Sequence, residues 1–280
     1  MAFSFQGASA LAASACINED TRLYVLDLRG QVALVNGGSR GLGLQMAEAL
    51  GEAGAKVMLT ARKAHELEEG CAHLAERGID ARWIAADASK PEEARRVVAE
   101  TLERLGPIDI LVNNAGAAWA APAEDHPLDG WDKLMNLNVR SLLVFAQAVA
   151  KGGMIARRQG RIINIASIAG LGGNPPGMQT IAYNTSKGAV VNFTRALACE
   201  WGHYGITVNA ICPGFFPSKM TAGTLKSMGE ENLANHAPLR RLGDDEDLKG
   251  TTLLFASEAG KHITGQWLAV DGGVSVVTGG

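Results

Sequence analysis

The chain has 280 residues, 47% of them hydrophobic and 20% charged, with a formal net charge of −3. That length and apolar share suffice for one sizeable core, and no shift in composition divides it, so one domain is expected. Mild acidity with mixed signs leaves no basic footprint for nucleic acid and no polybasic membrane patch, which points to small molecules as partners.

Residues 1–22, "MAFSFQGASALAASACINEDTR", lack the basic start and sustained apolar run of a secretory signal. They are expected to be a flexible or partner-docking arm ahead of a domain over 23–280. No stretch approaches the roughly 18 uninterrupted apolar residues of a membrane span. Cys16, Cys71, Cys199 and Cys212 are scattered without a Cys-x-x-Cys pair. They fit neither a zinc site nor a disulfide framework, so no metal is expected and a reducing, cytoplasmic location is.

In chain order, short apolar runs recur as "VALVN", "KVMLTA", a weaker "RWIAA", "IDILVNN", "RIINIA", "ITVNAI" and "QWLAV". They are too short for helices and rich in Val and Ile, whereas the segments between them have helical spacing. Over 89–106, Ser89 and Glu92 form a capping-box pattern, Pro91 sits in the first turn, and Gly106 ends the helix. Ala94, Val97, Val98, Thr101, Leu102 and Leu105 line one face. Strands apolar on both faces, alternating with amphipathic helices, predict an α/β fold: a Rossmann-type, doubly wound parallel sheet in a single domain. Ligands of such sheets bind at the carboxyl ends of the strands. Two segments exceed ordinary connections and are candidate functional loops, 168–180 and 213–242.

After the first run comes "NGGSRGLG", in which Gly37, Gly41 and Gly43 are spaced Gly-x-x-x-Gly-x-Gly, ahead of the helical "LGLQMAEALGEAG". Glycines let backbone N–H groups approach a pyrophosphate, and a helix N-terminus offers it positive potential; a ligand-free glycine turn would have the same spacing. NAD-binding sheets end their second strand with an acid that holds the ribose 2′-hydroxyl. Here that strand ends "MLTARK", with Ala61 and Arg62 in its place. Arg40 and Arg62 are either solvated surface charges or a pair converging on a 2′-phosphate, and the second reading favours NADP(H). Further on, "YNTSK" puts Tyr183 and Lys187 one helical turn apart. An ammonium beside the phenol is expected to lower its pKa from the usual value of about 10.

Taken together, these motifs resemble the short-chain dehydrogenase/reductase family, in its compact single-domain branch, over about residues 27–275. "NGGSRGLG" is similar to that family's cofactor loop, implying contacts from Gly37, Ser39, Arg40, Gly41, Leu42 and Gly43. Asp87, with Ala88 beside it, matches the acid that contacts adenine, and "NNAG" supplies Asn114, Ala115 and Gly116. Arg62 adds to the ribose end. "CPGFFPSKMT" resembles the segment along the nicotinamide, with Pro213, Gly214, Phe216 and Ser218. The resemblance implies a catalytic tetrad of Asn138, Ser167, Tyr183 and Lys187. Tyr183 is the proton donor to a carbonyl oxygen and Ser167 a hydrogen-bond donor to it. Lys187 binds the nicotinamide ribose, and Asn138 holds a water that links Lys187 to solvent. "ITGQWLAVDGG" resembles a C-terminal strand that often joins subunits, implying a homotetramer or homodimer.

Two departures stand out. Asn36 replaces the family's usual Thr before the first glycine, with a modest expected effect on loop anchoring, since its amide still donates and accepts. Ser167 and Tyr183 are separated by about three more residues than is usual, which suggests a reshaped substrate mouth. The nearest resemblance in reaction is to bacterial 3-oxoacyl reductases, including the rhamnolipid-associated kind. Of the two basic positions that dock an acyl carrier, Arg158 matches one and Tyr204 replaces the other. That weakens a carrier-bound substrate and leaves acyl-CoA or a free ketone. Phe215, Phe216, Met220, Leu225 and Met228 either favour a hydrophobic ketone or pack a lid. A polyol or sugar-acid dehydrogenase and a catalytically silent NADP(H)-binding regulator carry the same motifs.

Overall fold

The computed structural model describes residues 24–175 and 177–277. The arm over 1–22, Cys16 within it, and Pro176 of the 168–180 loop lie outside the described residues. Seven parallel strands form one sheet in the order β3-β2-β1-β4-β5-β6-β7. They are β1 (Val32–Asn36), β2 (Lys56–Ala61), β3 (Ala81–Ala85), β4 (Ile110–Asn113), β5 (Gly160–Ile165), β6 (Ile206–Pro213) and β7 (Trp267–Val270). Every apolar run, the weak "RWIAA" included, is a strand.

Strand alternation sends side chains to two cores. Ala33 and Val35 of β1 face the first core, with Met46 and Leu50 of α1 (Gly41–Glu52), Leu67 and Leu74 of α2 (Ala64–Ala75). Val32 and Leu34 face the second core, with Val97 and Val98 of α3 (Pro91–Leu105). The chain runs outward from β1 to β3, then crosses back to β4. The crevice at the carboxyl ends of β1 and β4 is the topological switch point where such sheets take ligands.

The third helix corrects the expected cap. Its N-cap is Lys90, without a side-chain cap bond, and Ser89 instead bonds Asp87: the hydroxyl donates to Oδ1 at 2.8 Å and the amide at 3.0 Å. Asp87, two residues earlier, competes for Ser89 through the local turn that aspartates favour.

A helical run over Leu128–Arg157 comprises α4 (Leu128–Met135), α5 (Ser141–Val149) and α6 (Ile155–Arg157), joined by a π-helical turn at Asn136–Arg140 and by Ala150–Met154, where Gly153 at φ 148° kinks the chain. It is long and apolar enough to cross a membrane by length and composition. Its apolar residues Val144, Phe145, Ala146 and Val149 are nonetheless part of the second core. The remaining helices are α7 (Ile181–Trp201), α8 (Ala222–Met228), α9 (Glu230–His236) and α10 (Lys249–Ala256). Helices α8 and α9 occupy the long segment after β6, and α10 closes the first core with Phe255.

A buried polar row crosses the sheet near its carboxyl edge. Thr60, Asn36, Asn113 and Asn164 are register neighbours on β2, β1, β4 and β5. Asn113 Nδ2 donates to Asn164 Oδ1 at 2.9 Å, and Asn164 Nδ2 donates to Thr194 Oγ1 of α7 at 3.0 Å. The sheet is thereby tied to the helix that carries Tyr183 and Lys187. Among the described residues Asn36 Nδ2 has no hydrogen-bond partner.

Removing a bonded amide orphans buried partners, whereas removing an unbonded hydroxyl does not. Asn164→Ala is expected to lower stability by about 2–4 kcal/mol. Thr207→Val, which deletes a buried hydroxyl that has no partner, is expected to stay within about 1 kcal/mol. Urea denaturation midpoints compare the two.

Candidate active site

The glycine loop is set by close packing. Gly37 N–H donates to the Thr60 carbonyl at 2.7 Å, and the Gly37 carbonyl accepts from Asn114 Nδ2 at 2.7 Å. A Cβ on Gly43 would lie 2.1 Å from that carbonyl oxygen. Only glycine permits α1 to start this close to the loop.

A cavity of about 510 Å³ opens over this loop. One end is lined by Gly37, Ser39, Arg40, Gly41, Leu42, Arg62, Asp87 and Ala88. Asn114, Ala115 and Gly116 line its middle, and Ser167, Tyr183, Lys187, Pro213, Gly214, Phe216 and Ser218 its far end. Two of the sequence's site residues stand outside the lining. Gly43 lies beneath Gly37, and Asn138 lies behind Gly116.

At the far end, α7 presents Tyr183 and Lys187 on one face. Lys187 is buried and donates from Nζ to the Ile165 carbonyl at 2.7 Å, with Nζ 5.7 Å from the Tyr183 ring centre. Ser167, just past β5, caps a 3₁₀ turn over Ile168–Gly170: its Oγ accepts from the Ala169 amide at 3.2 Å and lies close enough to the Tyr183 phenol to favour its ionised form. That turn lies against α7, where a Cβ on Gly170 would fall 2.5 Å from the Lys187 carbonyl carbon.

Asn138 sits in the π-helical turn that follows α4. Its Oδ1 accepts from the Ala117 amide at 2.9 Å, while Nδ2 donates to the Ala117 carbonyl at 2.9 Å and to Ser186 Oγ at 3.0 Å. This side chain therefore pins the segment after "NNAG" to α7. Its Oδ1 and Lys187 Nζ border Gly116 from two sides: a Cβ there would meet them at 3.3 and 3.6 Å.

Burial decides the titration of these groups. It pushes the Tyr183 phenol up, against the effect of Ser167, with buried Cys212 adding to the rise. It pushes Lys187 down to about 8. The lowering of Tyr183 by the lysine, expected from their spacing, is absent, because desolvation of the phenol outweighs the effect of Ser167 and the ammonium lies beside the ring. Cys212, a neighbour that sequence spacing did not flag, is a neutral thiol at physiological pH: burial raises it to about 11.

The 168–180 loop is fastened at both sides. Asn174 Nδ2 donates to Thr180 Oγ1 at 2.8 Å and to Asn184 Oδ1 at 3.1 Å, Thr180 Oγ1 donates to Asn184 Oδ1 at 2.9 Å, and Asn184 Nδ2 donates to the Gly172 carbonyl at 3.1 Å. Gln179, at φ 49°, turns its carbonyl to the Ala121 amide at 2.9 Å. The extra residues thus form a clamp hinged on the neighbour of Tyr183. In the segment after β6, Phe216 and Leu225 are buried, Phe216 against Gly243, and Met220 is exposed at the cavity rim. Arg158 donates to the His203 carbonyl and, like Tyr204, precedes its strand, at the opposite edge of the sheet from the cavity.

A family model described as Enoyl-(Acyl carrier protein) reductase matches residues 37–275. Gluconate 5-dehydrogenase of Gluconobacter oxydans is 36% identical over 90% of this chain and 97% of that protein. A rhamnolipids biosynthesis 3-oxoacyl-[acyl-carrier-protein] reductase of Pseudomonas aeruginosa is 38% identical over 88% of this chain and 96% of its own length. Among solved structures, a gluconate 5-dehydrogenase of Burkholderia cenocepacia in complex with NADP and tartrate superimposes with a TM-score of 0.86 at 33% identity, covering 92% of this chain and 100% of that one. The chain belongs to the short-chain dehydrogenase/reductase family, and it is an oxidoreductase.

Losing the Asn184 amide frees several bonds of the clamp, each worth about 0.5–1.5 kcal/mol. Asn184→Ala is expected to speed amide hydrogen exchange over 172–180 by roughly tenfold or more while global melting shifts little. Mass-spectrometric exchange reads this out.

Proposed function

We propose that the chain is an NADP(H)-dependent ketoreductase that converts carbonyls to secondary alcohols, acting on 3-oxoacyl thioesters, acyl-CoA forms among them, or related ketones. The observation that carries this reading is the single cavity joining Arg40 and Arg62 at one end to Ser167, Tyr183 and Lys187 at the other. The residues fit a dinucleotide on their own chemistry. Asp87 uses only Oδ1 on Ser89, and Arg62 has no ion-pair partner among the described residues, so both are available to an adenosine. Lys187 and the backbone of Asn114–Gly116 would hold the nicotinamide end, with Pro213, Gly214, Phe216 and Ser218 along it.

When bound, the nicotinamide supplies or takes the hydride. The chain's residues handle the oxygen. Tyr183 Oη gives its proton to the carbonyl oxygen in reduction, and Ser167, whose Oγ already accepts from Ala169, donates a hydrogen bond to the same atom. Lys187 places its charge beside the phenol when protonated, and Asn138 keeps the Ala117 segment and α7 in register.

A sugar-acid dehydrogenase is the second reading, supported by the gluconate 5-dehydrogenase relatives. Leu137, Ile165, Ala166, Phe216, Pro217 and Met220 around the reacting end favour the ketone instead, because a sugar acid would need polar partners there. Exposed Trp267 and Leu268 on edge strand β7 support self-association as a homodimer or homotetramer.

With NADPH, turnover of acetoacetyl-CoA or longer 3-oxoacyl thioesters is expected, falling at least ~10²-fold in Tyr183→Phe. Activity on gluconate with NADP⁺ and none on the thioesters would decide for the sugar acid. NADPH is expected to be preferred over NADH, and Arg40→Ala with Arg62→Ala to remove most of the preference; equal use of both by the unchanged protein would refute it.

The raised phenol fixes the sign of the pH dependence. Reduction uses the protonated Tyr183, so its rate holds through neutrality and declines as pH rises into the alkaline range. Oxidation of the alcohol uses the phenolate and rises with pH. Rate profiles in both directions check the opposition.

A further inference from the structure

The adenosine end of the cavity carries more charge than the two arginines that the sequence singles out. Arg40, Arg62, Lys63 and Lys219 all line it, and so does Glu66, in the first turn of α2. Glu66 Oε1 accepts from Arg40 Nη1 and from Lys63 Nζ, both at 3.0 Å. The bond from Lys63 and the charges of Arg40, Lys63 and Lys219 hold its carboxyl below the usual carboxylate range, so it stays ionised at neutral pH.

Its placement is lopsided. The Glu66 side chain is 15% exposed, whereas those of Arg40 and Lys63 are each 50% exposed. The anion sits inward and two cations arch over it. Surface ion pairs of this kind add little to stability, yet this one spans two elements: Arg40 is the N-cap of α1, and Glu66 belongs to α2. The carboxylate takes part of the coordination that an incoming phosphate would use, because Arg40 and Lys63 spend a donor each on it.

Resting on the cofactor reading above, we propose that Glu66 is a specificity-determining residue. It is a resident anion that competes with a ligand's 2′-phosphate for Arg40 and Lys63, and so limits the preference for 2′-phosphorylated over 2′-hydroxylated adenosine. A 2′-phosphate gains from the four cations and loses to repulsion by Glu66. A 2′-hydroxyl has little to gain or lose from either.

The test is calorimetric binding of adenosine 2′,5′-bisphosphate and of adenosine 5′-monophosphate, without turnover, to the unchanged full chain, to Glu66→Gln, to Arg40→Ala and to the double variant, at one fixed low ionic strength. Glu66→Gln keeps the side chain's shape and removes its charge. It is expected to tighten the bisphosphate about three- to tenfold, the scale of one unit charge a few ångströms away in a wet site. The monophosphate is expected to change less than about twofold, which also verifies a folded site. In the Arg40→Ala background the gain shrinks, because the contested donor is gone.

If the unchanged protein favours the bisphosphate and Glu66→Gln leaves the ratio unchanged or lowers it, Glu66 is only a brace for Arg40 and the proposal is overturned while the cofactor reading stands. If neither the unchanged protein nor Glu66→Gln distinguishes the two ligands, the cofactor reading and the proposal fall together.

Discussion

The carbonyl of Gly37 is the fixed point of the molecule's working end. Asn114, from the end of β4, donates to it at 2.7 Å, and the start of α1 crosses it so closely that a Cβ on Gly43 would come within 2.1 Å. Three segments far apart in sequence are referenced to one atom: the end of β1, the start of α1 and the segment after β4. That segment continues through Gly116, bordered by Asn138 and Lys187. The glycine loop and α7 are therefore positioned by a single chain of close contacts, with the buried asparagine row as a second tie beneath it.

The two ends of the cavity use charge in opposite ways. Around buried Lys187 and half-buried Tyr183, desolvation favours the neutral forms, so the lysine titrates near 8 and the phenol keeps its proton. Desolvation there is what keeps the phenol protonated at neutral pH. At the other end, Arg40 and Lys63 are half exposed and share the more buried carboxylate of Glu66. A ligand long enough to touch both ends meets a dry, weakly charged region and a wet, strongly charged one.

Much of this was legible in the sequence because it rests on periodicity and on residue types with few alternatives. Apolar runs of four to eight residues became the seven strands, and the glycine spacing, Tyr183 with Lys187, and Ser167 after β5 came together around one cavity. The misses have a common origin in local competition. Ser89 had the pattern of a cap, but Asp87 captured it. Asn138 was legible as a site residue, but its side-chain partners, Ala117 and Ser186, are ones that no spacing announces. Gly43 belonged to the phosphate motif and serves it from beneath. Glu66, Asn184 and Cys212 escaped because each gains its role from a neighbour distant in sequence or from burial, and neither leaves a pattern in the chain.

The π-helical turn at Asn136–Arg140 also joins two helices with different neighbours. One surplus residue in a helix rotates everything after it by about 100° relative to what came before. Gly130 and Leu134 are the buried residues of α4, whereas α5 sends Phe145 into the second core and Leu142 into a smaller cluster with Val190 and Cys212, with no loop between the two helices. The run is in effect two right-handed helical segments joined end to end by the wider turn. The wide turn takes up its extra residue locally, so Phe145 keeps its place in the second core while Asn138 keeps its bonds to Ala117.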